Sequence, residues 1–532
     1  MIVAIKARIK DVDNRAFWSY IYYFSIVVFI GIPMWWITTS PHRSNLARVG
    51  KHDSVPLPMD VIISTQSNSG ISVADTRAIF GGSSPEKFYD VLAASSAVAD
   101  VLSGGYHGDD TKSYWEVQKT ATFTNAFASS DHPLGPFATT TAKPFEARVS
   151  LVHSKEFAAL GGHDACDAVI TPNGNIVLKY EQIDRLEQVF DNVIIDDWLG
   201  LDKIRTMIDR VKDMNDVVRT TTPDVWNEIA IPAAYNIHVV FVHAHSNDRH
   251  WAEPIEQQIS QDINRMINYL SDTLFFRLST EHVWDLFDTK VFEEGKDGTS
   301  SFVGTSADLS NFITAVDQRV SPIVSSDPLL KFVFVLSENG LEIDGIQGPG
   351  QTFVSWGSII NAVPNAQENI SNSIFESFQV LLGVRKLVDS TNSLCHRNVH
   401  PDVFIWNRFR RHAYLENLLK ARHFILAINA LAASVPQLVI TEEVGSLVED
   451  AKRLIAEAIE TKNPLKAAAA RLLAERAADH GSLLGTSDLT PFLKLGVYLP
   501  VCMPVMFPVV DVCVTSAFHY LKNRFRPESQ NV

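Results

Sequence analysis

Two dipeptides carry the residue types that a cysteine-dependent hydrolase needs. They are His107-Gly108 and Ala165-Cys166. In such an enzyme a histidine base and a thiolate nucleophile lie side by side where buried strands end. The residues that precede each pair, Ser103–Tyr106 and Gly161–Asp164, are small or polar and are not typical of a buried strand. The sequence therefore argues against a cysteine nucleophile, and a stand-alone hydrolase is kept as the alternative function.

Two groups of histidine and cysteine residues have spacings that suit metal ligation. They are His243, His245 and His250, and then Cys395, His396 and His400. Zinc requires three or four such side chains held in fixed positions. However, His243 and His245 lead into the polar segment Ser246–Asp248, and Pro401 argues against a continuous helix through the second group. The sequence therefore favours hydrogen-bonded or solvated histidines over a metal site.

Other catalytic and cofactor motifs are missing from the sequence. It contains no Walker loop, no dinucleotide fingerprint, no G-x-S-x-G elbow and no H-E-x-x-H pair. The chain is acidic, with 46 lysine and arginine residues against 61 aspartate and glutamate residues. Because phosphate backbones are recognised by clustered lysine and arginine, this balance argues against nucleic-acid binding. The sequence thus predicts no catalytic residue, no metal and no cofactor.

The elements that would position such side chains indicate a mixed α/β domain. Short runs of β-branched and aromatic residues predict buried strands. These runs are Val61–Ile63, Val149–Val152, Ile237–Val242 and Phe332–Leu336. Apolar residues spaced three and four apart predict a helix from Ile255 to Leu278. Alternating strands and helices favour a sheet covered by helices, which we place at residues 39–402.

Residues 403–494 are predicted to be helical, with helical periodicity from Phe404 to about His480. One apolar stripe comprises Leu415, Leu418, Ala421, Ile425, Ile428, Ala432 and Val435. Pro436 predicts the end of that helix, and Asn463-Pro464 predicts the N-cap and first turn of a later one. Such stripes usually pack inside a protein, so we expect a helical hairpin that follows the α/β domain.

The first of two long apolar runs, Ala16–Ile37, contains no charged residue. As a helix, such a run is long enough to cross a hydrocarbon core of about 30 Å. Aromatic residues cluster at both of its ends, and Trp18, Trp35 and Trp36 are predicted to lie at the membrane interfaces. A cleaved signal peptide is the alternative, but the run is too long and too aromatic. The sequence predicts a transmembrane helix at 16–38.

The second apolar run gives a transmembrane helix at 495–521. Pro500, Pro504 and Pro508 are four residues apart and share one helical face, and Asp511 lies inside the run. Ionisable residues in membrane helices usually face protein, so we predict that these four residues pack against other membrane helices. A kinked, lipid-facing anchor with Asp511 near an interface is the alternative.

Flanking charge gives the orientation. The second run is followed by Lys522, Arg524 and Arg526, which predicts a cytoplasmic C-terminus. Two spans place both ends on one side, so 1–15 and 522–532 are predicted to be cytoplasmic and 39–494 lumenal or extracellular. The predicted fold class is a large lumenal α/β mixed-sheet domain with a C-terminal helical hairpin, flanked by two transmembrane helices.

Lumenal placement gives two further side-chain predictions. Asn369 begins the N-x-S/T sequon Asn369-Ile370-Ser371 and is a candidate glycosylation site. Cys166 and Cys395 are the cysteines outside the second apolar run, and the sequence does not determine whether they pair.

Four segments in order along the chain resemble the PIG-S family, the S subunit of GPI transamidase. In that family a Pro-x-Trp-Trp-x-Thr-Thr block lies where the first span ends and the lumenal domain begins. A Ser-x-Trp-Gly-Gly stretch lies later in the lumenal domain. A helical hairpin then precedes a second span that contains prolines. The matching segments are Pro33–Thr39 with Arg43–Leu46, Ser355–Gly357, Trp406 and Arg408 with Leu415–Leu418, and Val497–Pro500 with Pro504 and Pro508. Ser358 stands where the family has its second glycine.

This resemblance implies a non-catalytic subunit of the complex that attaches GPI anchors to precursor proteins in the endoplasmic reticulum. It implies that the cysteine nucleophile lies on a different, legumain-like subunit. The expected partners are the K, T, U and GPAA1-type subunits, and the expected location is the endoplasmic reticulum membrane. The expected task of this chain is assembly, with the lumenal domain and both spans contacting partner subunits.

Overall fold

The computed structural model describes most of the chain between residues 141 and 484, with shorter parts on either side. The described residues are 43–48, 55–65, 115–123, 141–153, 167–171, 173–180, 231–243, 249–284, 293–294, 302–322, 327–337, 340–344, 346–364, 367–384, 394–396, 403–435 and 438–484, with single positions within 18–37 and 157–198, at 325, and within 496–518.

Up to residue 396 the described elements are mostly strands, with three α-helices among them, and the described elements after residue 396 are helices. The strands are β1 (Val55–Thr65), β2 (Trp115–Phe123), β3 (Glu146–His153), β4 (Ala168–Ile170), β5 (Ile176–Tyr180), β6 (Ala234–His243), β7 (Phe275–Trp284), β8 (Glu293–Glu294), β9 (Phe302–Gly304), β10 (Leu329–Leu336), β11 (Leu341–Ile343), β12 (Ile346–Gln347), β13 (Gly350–Phe353), β14 (Gly357–Ala362) and β15 (Leu394–His396). The α-helices are α1 (Arg249–Leu270), α2 (Ser306–Arg319), α3 (Gln367–Leu381), α4 (Val403–Ser434), α5 (Glu442–Thr461), α6 (Pro464–Ala478) and α7 (Gly481–Leu484), and a π-helical turn covers Val27–Gly31.

Within the described residues, the strands form sheets of six, five and four strands. The five-stranded sheet has the order β13-β14-β10-β6-β7, and its neighbours are parallel except for β13 and β14. Parallel neighbours need a crossover connection, which α1 provides between β6 and β7. The six-stranded sheet, β15-β4-β5-β3-β1-β2, is parallel except between β4 and β5.

The five-stranded sheet is covered by helices on both faces. Val239 and Phe241 of β6 belong to one apolar cluster with residues of α1, α3 and α4. Val240 and Val242 belong to a second cluster with residues of α2. A strand buried on both faces has a continuous apolar sequence, which is why the apolar run Ile237–Val242 predicted β6. The four predicted strands lie in β1, β3, β6 and β10, and the mixed α/β prediction is confirmed.

The predicted helix from Ile255 to Leu278 is partly wrong. Helix α1 starts earlier and ends at Leu270, and β7 begins at Phe275. Thr273 closes the turn between them by donating its backbone N–H to the Leu270 carbonyl oxygen at 2.9 Å. The apolar residues after this turn continue the helical spacing by coincidence, but their backbone pairs with β6. The predicted apolar face is correct: Ile255, Ile259, Ile263, Met266 and Leu270 are all buried.

The helical periodicity from Phe404 to about His480 is confirmed, because the structure describes helices over most of residues 403–484. Helix α4 ends at Ser434, two residues before Pro436. Asn463 caps α6, and its Oδ1 accepts hydrogen bonds from the backbone N–H groups of Leu465 at 2.9 Å and Lys466 at 3.3 Å. The cap therefore acts as the sequence predicted.

The first half of α4 is buried on every side, including its charged residues. Arg411 is an example, because its guanidinium lies 3.8 Å from the Trp198 ring centroid. It also donates hydrogen bonds to the carbonyl oxygens of Pro144, at 2.7 Å, and Trp198. Burial, and secondarily Arg408, lower the pKa of Arg411. Helix α4 thus joins separate backbone segments through its polar side chains as well as its apolar stripe.

The chain divides into two compact units. One contains Met1–Ala47, Ala427–Leu447 and Arg476–Val532, and the other contains Arg48–Leu426 and Val448–Glu475. All of the sheets described above belong to the second unit. Of the helices that the structure describes, none combines the length and the apolar character needed to cross a membrane. The predicted spans at 16–38 and 495–521 lie largely outside the described residues.

Candidate functional site

The carboxyl ends of β6 and β7 bring three potential ligand side chains together. His243 is the last residue of β6, and His282 lies two residues before the end of β7. The parallel register pairs His243 with Trp284 and Phe241 with His282. Glu256 comes from the first half of α1, the helix that follows β6. Open α/β sheets commonly bind ligands at the carboxyl ends of their strands, so this position is a candidate site.

The ligand atoms of these three residues, His243, Glu256 and His282, lie close together, and we call them the His–Glu–His cluster. His243 Nε2 lies 3.1 Å from His282 Nδ1 and 3.3 Å from Glu256 Oε1. His282 Nδ1 lies 3.9 Å from Glu256 Oε1. The His243 side chain is 1% exposed, that of Glu256 is 19% exposed and that of His282 is 41% exposed. The cluster is therefore accessible from the His282 side.

Aromatic rings restrict the orientation of both imidazoles. Trp284 stacks on His243 with the ring centroids 3.6 Å apart and the planes 7° apart. Phe241 stacks on His282 with the centroids 5.1 Å apart. Packed rings of this kind keep a side chain in one rotamer, which is a requirement for a site with fixed geometry.

The electrostatic surroundings of Glu256 favour a positive charge nearby. Burial raises the pKa of the Glu256 carboxyl above its usual range, and Glu253 acts in the same direction. His282 opposes this increase. A protonated imidazole or a metal cation would stabilise the carboxylate in this position. The cluster has the donor atoms and spacing that a metal ion requires, with all three ligand atoms within 4.8 Å of one another.

Of the histidine and cysteine residues that the sequence grouped together, His243 is the one whose side chain the structure describes. His243 belongs to the cluster, is buried, and has its Nε2 3.1 Å from His282 Nδ1. His250 lies in α1, and Cys395 and His396 lie in β15, where only the backbone is described. The residues that lie outside the described part of the chain are His107, Gly108, Ala165, Cys166, His245 and His400.

Sequence reasoning missed Glu256 and His282 as partners of His243. His282 was overlooked because the predicted helix extended to Leu278 and hid the start of β7. The available signal was the aromatic residues at both ends of the strand, which begins with Phe275-Phe276 and ends with Trp284. Placing a second parallel strand there would have brought its carboxyl end beside that of β6.

The segment around Trp356 has a structural explanation. Trp356 Nε1 donates a hydrogen bond to Asp317 Oδ2 at 2.8 Å, and Lys331 Nζ lies 2.6 Å from Asp317 Oδ1. Gly357 has a φ of 151° and passes close to the backbone of β10. Ser358, which stands in place of a glycine, is buried and shares a hydrogen bond with Ser377 at 2.7 Å. These residues fix the edge of the five-stranded sheet to α2 and α3.

The segment Arg43–Leu46 is held against the end of α4. Arg43 donates hydrogen bonds from Nη2 to the carbonyl oxygens of Ala432, at 2.8 Å, and Val435, at 2.7 Å. Its Nε donates to the Leu438 carbonyl oxygen at 3.2 Å. The last carbonyl groups of a helix lack intrahelical donors, so Arg43 acts as a cationic C-terminal cap. This contact gives one of the family-like segments a physical role.

The predicted membrane and glycosylation residues are described only in part. Trp18, Pro500 and Asp511 are helical and exposed in the structure. Asn369 is exposed on α3, and Ser371 of the same sequon donates a hydrogen bond to Asp262 Oδ2 at 2.5 Å. The other predicted residues, Trp35, Trp36, Pro504 and Pro508, lie outside the described part of the chain.

The fold and the cluster define an α/β protein with helices on both faces of a largely parallel sheet, a class that hosts many functions. The family model for PIG-S, described as "Phosphatidylinositol-glycan biosynthesis class S protein", matches residues 22–524. The chain therefore belongs to the PIG-S family, as the sequence predicted. This membership implies the role of a GPI transamidase subunit. No curated protein matches the chain.

Proposed function

We propose that this chain is a non-catalytic assembly subunit of GPI transamidase that supports the attachment of GPI anchors to the C-termini of precursor proteins. The observation that carries the proposal is the family match over residues 22–524, which includes nearly all of the described structure. In this proposal the cysteine nucleophile belongs to another subunit. The partners of this chain are the K, T, U and GPAA1-type subunits, in the endoplasmic reticulum membrane.

The proposed topology has two spans, at 16–38 and 495–521, with both termini in the cytoplasm. The α/β domain (39–402) and the helical segment (403–494) then lie in the lumen. Trp18, Trp35 and Trp36 mark the membrane interfaces, and Asn369 carries a glycan. In the second span, the residues that contact partner helices are Pro500, Pro504, Pro508 and Asp511.

The buried polar contacts of α4 support an assembly role. Glu416 and Lys420 form a buried ion pair at 2.7 Å, and Arg471 of α6 donates a hydrogen bond to Asn417 Oδ1 at 3.0 Å. Arg471 also donates to the Ile231 carbonyl oxygen at 2.6 Å, just before β6. These contacts connect the helical segment to the sheet within one compact unit. Because these contacts hold the helices and the sheet in fixed positions, the surface that they form is pre-organised for docking to a partner.

Affinity purification tests the assembly proposal directly. The chain is tagged at its C-terminus, expressed at its natural level, extracted in mild detergent and analysed by mass spectrometry. We expect near-stoichiometric recovery of the other transamidase subunits. A monodisperse protein without those partners, in more than one detergent, would contradict the proposal and favour a stand-alone lumenal protein.

Mutagenesis separates an assembly subunit from a cysteine-dependent hydrolase. We expect GPI attachment in cells to be unchanged by Cys166→Ala and by His107→Ala. Cys395→Ala is the matched control for replacement of a cysteine outside the second apolar run. Loss of attachment in Cys166→Ala or His107→Ala variants that still fold and co-purify with the complex would contradict the non-catalytic role.

A further inference from the structure

We propose that the His–Glu–His cluster binds one divalent metal ion of the zinc class. The ligand atoms are His243 Nε2, Glu256 Oε1 and His282 Nδ1. The site lies at the carboxyl edge of the five-stranded sheet, and it does not depend on the assembly role proposed above.

The separations of the ligand atoms are close to those of a zinc site. In a tetrahedral site with metal–ligand bonds of about 2.0–2.2 Å, neighbouring ligand atoms are about 3.3–3.6 Å apart. Of the observed separations, 3.1 Å is below this range, 3.3 Å is at its lower limit and 3.9 Å is above it. A movement of about 0.5 Å at Nδ1 of His282, the most exposed member, would bring all three separations to about this range.

A single hydrogen bond joins two of these three atoms, whereas one metal ion can contact all three. A proton on His243 Nε2 can be donated to either Glu256 or His282, and the geometry places both acceptors at similar distances. One cation contacts all three atoms at the same time.

The donor set selects the class of metal. Two imidazoles and one carboxylate suit zinc and neighbouring transition metals, whereas magnesium and calcium prefer oxygen ligands only. Three protein ligands leave one tetrahedral position for water or a further ligand. Because the His282 side chain is 41% exposed, a metal ion can reach the cluster from solvent on that side. The stacked rings of Trp284 and Phe241 restrict the rotation of both imidazoles, which favours a fixed ligand geometry.

Metal analysis of the full-length chain in detergent tests the proposal without any variant. The protein is stripped with a chelator, equilibrated with Zn²⁺ and dialysed, and its metal content is measured by mass spectrometry. We expect one zinc ion per chain. Replacement by Co²⁺ should give the visible ligand-field absorption of a tetrahedral site with nitrogen and oxygen ligands. A zinc content near zero after dialysis, or a purely octahedral cobalt spectrum, would overturn the proposal.

Paired variants identify the ligands. Glu256→Gln and His282→Gln each remove one donor of the proposed set, and we expect each to weaken Zn²⁺ binding in titration calorimetry at least tenfold. Glu253→Gln is the matched control, because Glu253 is an exposed glutamate one turn away on α1. It changes the charge beside the cluster but removes no ligand atom, so it should weaken zinc binding much less than Glu256→Gln and His282→Gln do. Equal loss in Glu253→Gln, or undiminished binding by Glu256→Gln and His282→Gln, would overturn the assignment. Circular dichroism checks that each variant is folded.

Discussion

At the scale of single residues, Gly357 shows how a short family-like motif depends on backbone geometry. Its φ is 151°, and a Cβ atom at this position would lie 2.5 Å from the Lys331 carbonyl oxygen. We expect Gly357→Ala to lower the free energy of unfolding by about 1–3 kcal/mol or more, because β14 must move away from β10. Denaturant unfolding of the purified chain measures the change.

Gly348 provides the control for that substitution. A Cβ atom on Gly348 would meet no heavy atom within 4 Å. Gly348→Ala should therefore leave stability nearly unchanged. If both alanine variants lose the same stability, contact with β10 is not the reason for glycine at position 357.

His238 makes the stability of the domain depend on pH. It is buried on the face of β6 that packs toward α2, with Nε2 3.8 Å from Glu281 Oε2. Burial lowers the pKa of His238 below its usual value, Glu281 opposes the decrease and Lys331 adds to it. The unfolded chain therefore binds this proton more readily than the folded protein does. Its contribution to stability is complete above about pH 6.5 and is lost as the pH falls below that value.

Replacing His238 should reduce this acid sensitivity. Between about pH 7.5 and about pH 5.5, His238→Gln is expected to lose less stability than the wild type. Thermal unfolding of both proteins at each pH measures the difference. An identical loss in the two proteins would show that other groups control the acid response.

At the scale of elements, α4 contains a charged pair whose burial makes it sensitive to substitution. Lys420 and Glu416 lie 2.7 Å apart and are 8% and 2% exposed. The Glu416 carboxylate also accepts a hydrogen bond from the Ile231 backbone N–H at 3.2 Å. Glu416→Ala leaves the Lys420 ammonium buried without this carboxylate, and we expect it to cost about 3–5 kcal/mol in denaturant unfolding.

A surface pair of the same chemistry serves as the comparison. Glu457 of α5 lies 2.9 Å from Lys466 of α6, and both side chains are about one-third exposed. Because exposed pairs are screened by solvent, Glu457→Ala should lower the free energy of unfolding far less than Glu416→Ala does. Similar costs for Glu416→Ala and Glu457→Ala would mean that burial does not set the strength of the α4 pair.

The same elements show which features the sequence could predict. The strand β6 was found because an apolar run identifies a strand that is buried on both faces. The start of β7 was missed because Phe275–Leu278 fits both helical and extended spacing, and pairing with β6 decided between them. In α4 the apolar stripe predicted one buried face, but the buried Arg411 was not predictable. Its burial depends on Trp198 and Pro144, which lie far away in sequence.

At the scale of the whole molecule, the family was predictable but the cluster was not. The family-like segments lie near both ends of the chain and in its C-terminal half, so their order carries information without any knowledge of folding. His243, Glu256 and His282 come together through a parallel register and a crossover helix. The sequence suggested His245 and His250 as neighbours of His243 because they lie close to it along the chain. Spatial neighbours on the next strand require the topology.

The placement of the whole α/β domain in the lumen has a direct test at Asn369. This asparagine is exposed on α3 and begins a sequon that Ser371 completes. In the lumen it is accessible to the glycosylation machinery, so the chain from cells should carry an N-linked glycan that glycosidase removes. Asn369→Gln should abolish the mass shift. Asn372→Gln replaces another exposed asparagine of α3 that has no sequon, and it should retain the shift. A wild-type chain of unmodified mass, or a glycan that persists in Asn369→Gln, would count against the proposed site and remove this support for the lumenal placement.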